Sequence, residues 1–136
     1  GTASNRVKIY INGTQITSFG TETYPSQDYQ SGYGNNREMA IGRFTGASYT
    51  TSIEALLAET IYVDGTQYAA SQFGETKNGV WVPKDPTGTS FGNNGFHLKY
   101  ENASALGNDS SGNDNDFTAN NMGTDHQVLD SPTFGS

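Results

Sequence analysis

Arg6-Val7-Lys8-Ile9-Tyr10-Ile11-Asn12-Gly13-Thr14-Gln15-Ile16-Thr17 is the stretch on which the reading of this chain turns. Val7, Ile9 and Ile11 alternate with Arg6, Lys8 and Tyr10, the two-residue period that sends successive side chains to opposite faces of a strand. Asn12-Gly13 then interrupts the pattern, and both residues accept the positive φ of a type I′ turn. A two-residue loop sets Ile11 opposite Thr14 and Ile9 opposite Ile16, which leaves one apolar face. The expectation is a β-hairpin in an all-β chain.

The composition agrees. Only 32% of the 136 residues are hydrophobic and 17 are Gly, so the core is expected to be thin and the loops many. Eight Tyr, seven Phe and one Trp supply large apolar areas with high strand preference. A net charge of -7, from 14 acids against 7 bases, opposes phosphate backbones and anionic membranes, which demand clustered Lys or Arg. Nucleic acid and membrane are therefore excluded as expected partners. The absence of Cys removes disulfides and thiolate metal sites, and no apolar run approaches the length of a bilayer span.

Beyond the hairpin, residues 20–37 read as a long exposed loop rich in Tyr, Gln, Ser, Gly and Asn. Tyr24, Tyr29 and Tyr33, with Asn35-Asn36-Arg37, are its candidate ligand-binding residues; the alternative is a lid of tyrosines lying over a sheet. Residues 39–44 read as a second strand region. Ala55 to Asp64 reads as an inner strand with both faces apolar, or as one helical turn from Ile53 to Ala58 followed by a strand. It ends in Asp64-Gly65, an echo of Asn12-Gly13. Gln67 to Gly74 suits a short helix or turn, Val80-Trp81-Val82 a strand fragment closed by Pro83 and Pro86, and residues 96–100 a strand with Phe96, Leu98 and Tyr100 inward and His97 outward. From Asn102 onward, Phe117, Met122, Val128, Leu129 and Phe134 are the anchors of a polar segment.

Seven segments then follow in a recognisable order: residues 6–13, Leu57-Ala58-Glu59, Val63-Asp64-Gly65, Phe73-Gly74-Glu75, Gly79-Val80-Trp81-Val82-Pro83-Lys84, Asn94-Gly95-Phe96-His97-Leu98 and residues 109–118. Together they resemble the laminin-G-like, concanavalin-A-like modules of bacteriophage virion and tail-fibre proteins, especially those of marine and cyanobacterial phages. The resemblance implies an antiparallel jelly-roll β-sandwich at a particle surface, in a tail fibre, spike or capsid decoration. Its implied partners are copies of itself, neighbouring virion proteins or host-surface glycans. Such modules place several strands and a Trp-containing segment before the strand that ends here in Tyr10-Ile11-Asn12-Gly13. The resemblance therefore implies a sandwich incomplete at its N-terminus, completed by another chain, another copy or the C-terminal segment.

Concanavalin-A-like folds also house glucanases, so a glycoside-active enzyme is the alternative, with a cellular laminin-G-like adhesion domain as a third reading. Retaining hydrolysis needs two carboxylates about 5 to 5.5 Å apart. Glu54 and Glu59, five positions apart, fall on opposite faces of a continuous strand and do not qualify. Glu59 is expected to bond a backbone group or Arg43, and the expectation is no enzyme. The oxygen-rich run 108–116 offers Asp109, Asn113, Asp114 and Asp116 as candidate calcium ligands. The competing reading is Asx turns around Gly112, in which those side chains satisfy their own backbone. No other cofactor is expected.

Overall fold

The Asn12-Gly13 turn forms with φ of 49° and 76° at its two residues. It joins β1 (Ile9–Ile11) to β2 (Thr14–Ile16), and Ile11 pairs with Thr14 and Ile9 with Ile16, the register the two-residue loop demands. A computed structural model of the chain describes residues 1–32, 38–43 and 52–129. Among the described residues it contains six strands, three short 3₁₀ turns and no α-helix. The strands pair as three two-stranded antiparallel sheets: β1 with β2, β3 (Thr60–Tyr62) with β6 (Phe96–Leu98), and β4 (Gly74–Lys77) with β5 (Val80–Pro83). The chain is therefore an all-β protein of small antiparallel sheets.

The core sits on β6. Phe96, Leu98 and Leu106 are its buried hydrophobic residues, with Leu98 at 1% exposure. Tyr62 lies directly opposite Phe96 across the β3–β6 pair, and the rings stack at 5.6 Å, as cross-strand aromatics on one face do. Phe117 closes the cluster edge-on to Phe96 at 4.8 Å, docking the polar C-terminal segment through one of its expected anchors. The other described anchors, Met122, Val128 and Leu129, are exposed, and Phe134 lies outside the described residues. The free edge of β6 is covered locally: Asp109 bridges Leu98, and the Ser110 N–H donates to the His97 carbonyl at 2.8 Å.

Three expectations are corrected. The apolar run before Asp64 forms a strand only over Thr60–Tyr62, and Ile53 to Ala58 is neither strand nor helical turn. Among the described residues β3 pairs with β6 alone, and the upstream leucines stay open, Leu56 at 83% and Leu57 at 45% exposure. Residues 39–43 form no strand; Arg43 makes one isolated bridge to Ser52, and Phe44 lies outside the described residues. The Val80 fragment is one arm of a complete hairpin. Asn78-Gly79, with φ of 51° and 80°, turns β4 into β5 with the same dipeptide that closes the first hairpin. The predicted turn at residues 67–74 is present as a 3₁₀ turn over Ala70–Gln72.

Candidate functional site

Trp81 organises the site. It stands on β5, and its indole lies against two glycines: a Cβ at Gly74 would come within 2.5 Å of the ring, and one at Gly13 would overlap it. Any side chain at either place would push the indole out, so the two glycines let Trp81 pack on bare backbone and join the first hairpin's turn to the β4–β5 hairpin. Around it runs an open groove made of two adjoining cavities, of about 610 Å³ and about 450 Å³, which share Tyr68, Phe73 and Trp81. The outer half is finished by Tyr10 and Asn12 of the first hairpin, by Arg6 and Lys8 just before it, and by Gln67. The inner half is finished by Ile61 of β3 and Val63 just after it, with Glu59 and Pro83.

Local hydrogen bonds fix the aromatic walls. The Ser90 N–H donates to the Tyr68 hydroxyl at 3.0 Å, and Gln72 Nε2 donates to Thr89 Oγ1 at 3.0 Å and to the Thr87 carbonyl at 3.1 Å. These contacts pin the 68–73 segment to the chain that leaves β5. Phe73 then meets Tyr68 edge-on at 6.1 Å. The groove is thus an aromatic surface with amide and cationic groups at its rim, preformed by two hairpins and a 3₁₀ turn.

Glu59 supplies the one carboxylate among the described residues that line the groove. Its partner is His97 Nε2 rather than Arg43 or a backbone group. His97 is 4% exposed, which corrects its outward placement. The physical reason lies on both sides of β6. Phe96 and Leu98 pack against the core on one parity, while on the other Phe91 stacks over the imidazole at 5.8 Å and Glu59 reaches it from the segment leading into β3. Alternation alone cannot see a strand covered on both faces. The histidine holds Glu59 in place and leaves that side chain, 13% exposed, at the groove's inner end.

The run 108–116 folds on itself. The Asp109 carboxylate accepts from the His97 and Ser111 N–H groups on one oxygen, at 2.8 Å each, and from Ser111 Oγ at 2.7 Å and the Asn115 N–H at 3.0 Å on the other. Asp116 Oδ1 accepts from the Asp109 N–H at 2.8 Å. The Asn113 and Asn115 side-chain amides both donate to the Gly95 carbonyl, at 2.9 Å each, so the run clamps the start of β6. Asp114, at φ 57°, is exposed. Burial acts to raise the Asp109 carboxyl, but the bonds from His97, Ser111 and Asn115 outweigh it and hold it below the ordinary carboxylate value of 3.8. Among the described residues no cluster of acidic or imidazole side chains converges as a metal site does.

The tyrosine loop is divided. Tyr24 is half-buried and donates to Glu22 Oε2 at 2.6 Å, a bond that raises its phenol above the usual value; Tyr29 is exposed. Tyr33, Asn35, Asn36 and Arg37 lie outside the described residues. No family model matches the chain, and no curated protein or solved structure matches it significantly.

Proposed function

We propose that this chain is an adhesive module of a virion surface, in a tail fibre, spike or capsid decoration, and that it binds glycan in the groove around Trp81. The observation that carries the reading is the groove's composition. Trp81, Tyr68, Phe73 and Tyr10 supply aromatic rings to the lining, suited to the C–H surfaces of sugars, while Asn12, Gln67, Lys8 and Glu59 offer donors and acceptors for hydroxyls. A single carboxylate in that lining supports binding over hydrolysis, because the two-carboxylate mechanism requires a second at about 5 to 9.5 Å. The particle-surface setting is supported by the ordered resemblance of the seven segments. In the same reading, the three small sheets are parts of a jelly-roll sandwich of the concanavalin-A-like kind.

The test is a glycan array with Trp81→Phe, Tyr10→Ala and Tyr29→Ala variants. The expected result is binding weakened by the Trp81 and Tyr10 changes and retained in Tyr29→Ala. The opposite pattern would move the ligand to the tyrosine loop, with Tyr24, Tyr29 and Tyr33 through Arg37 as its residues. An empty array with intact fold would leave a second reading, a purely structural module that assembles with copies of itself. The observation favouring that reading is the exposure of Ile9, Ile11, Leu56, Leu57 and Val80, apolar side chains that a partner chain would cover.

A further inference from the structure

Resting on the groove reading above, we propose that the saccharide is an acidic one, with a uronate carboxylate or sulfate ester seated against Lys8 and Arg6. A chain with 14 acidic and 7 basic residues has few cations to place. Two of them line the outer half of the groove, and no Asp or Glu does. Among the described residues the Lys8 ammonium has neither an ion-pair nor a hydrogen-bond partner.

Arg6 donates from Nη1 to the Pro25 carbonyl at 2.8 Å and from Nη2 to the Gly1 carbonyl at 3.4 Å. Those acceptors are neutral. They orient the guanidinium and leave its charge uncompensated, with donors remaining for a ligand oxyanion. Glu59 lines the other end, together with Ile61, Val63 and Pro83. An anionic substituent therefore gains at the outer end, where two cations stand, and not at the inner one, where the one lining carboxylate among the described residues is held by His97, which gives a bound chain a direction. Trp81 and Tyr68 between them supply the ring faces that distinguish a pyranose from a simple anion.

Trp81 is the only Trp of the chain, so its fluorescence reports occupancy of this groove. The full chain is titrated with uronate oligosaccharides from alginate, sulfated oligosaccharides from carrageenan and neutral cello-oligosaccharides, using the parent protein and Lys8→Gln. Among the described residues Lys8 has no bonding partner, and near-ultraviolet circular dichroism checks that the variant is folded. The acidic oligosaccharides are expected to shift Trp81 emission, with Kd raised about tenfold by Lys8→Gln and raised by added salt. Neutral oligosaccharides binding as well as acidic ones, with no effect of Lys8→Gln, would overturn the acidic assignment and leave the groove a glycan site. No Trp81 response to any saccharide from folded protein would overturn the glycan reading itself. Uronate and sulfate series that differ from one another identify which anion the two cations accept.

Discussion

Asp109 is a carboxylate at 7% exposure that accepts two hydrogen bonds on each oxygen, three of them from backbone N–H groups. Its energetic weight follows from what its removal leaves behind. Asp109→Ala strands donors from His97, Ser111 and Asn115 together, and the expected loss is about 3 kcal/mol in chemical denaturation. Because the folded carboxyl is held below its unfolded value of 3.8, the stabilisation is complete above that value and drains away as pH falls through the lower folded one. Acid titration of stability should therefore show a limb beginning near that value that Asp109→Asn removes. Tyr100 carries the opposite sign. Burial raises its phenol above 10.0, the Thr60 hydroxyl at 2.7 Å acts to lower it, and Glu59 raises it again. The stability it confers is complete below pH 10.0 and lost as pH climbs through the raised value. Tyr100→Phe should abolish that alkaline limb at a cost of about 1 kcal/mol at neutral pH.

The two Asn-Gly hairpins carry the architecture, and glycines of equal φ separate turn strain from packing. Gly13 at φ 76° faces the Trp81 ring, whereas Gly65 at φ 78° faces open space. Gly65→Ala is expected to cost about 1 kcal/mol, the left-handed penalty alone. Gly13→Ala adds displacement of the indole, for about 3 kcal/mol together with a shift in Trp81 emission. Equal losses in the two variants would mean that the indole does not rest on the first turn. The first hairpin was legible because apolar alternation and turn dipeptide coincide in Ile9-Tyr10-Ile11-Asn12-Gly13. Its counterpart was half-hidden, since Gly74-Glu75-Thr76-Lys77 has no apolar alternation, though Asn78-Gly79 carried the same turn signal. The run before Asp64 is apolar without being a strand up to Thr60, because apolarity marks burial only when a partner element arrives, and among the described residues none covers Leu56. The Glu59–His97 pair joins residues 38 apart and the groove gathers three separate segments, neither of which a local pattern encodes.

At the scale of the whole molecule, apolar side chains are distributed the wrong way for a lone domain. Among the described residues three hydrophobic side chains are buried, while Val7, Ile9, Ile11, Ile53, Leu56, Leu57 and Val80 are each more than two-fifths exposed. Scattered apolar residues are ordinary on a surface, but strand residues of two sheets left open together leave both apolar area and strand edges available to another chain. Association would add burial of roughly 1.5–3 kcal/mol for each Leu or Ile fully covered, a large increment for so small a core. Light scattering of the full chain is therefore expected to give a mass above one chain's, with a melting temperature that rises with protein concentration. Leu56→Ser discriminates further. On a free surface it changes stability by less than about 0.5 kcal/mol, whereas at a buried contact it lowers the association constant by tenfold or more. A monomeric mass, a concentration-independent transition and a silent Leu56→Ser would together reject assembly and leave the Trp81 groove as the chain's working surface.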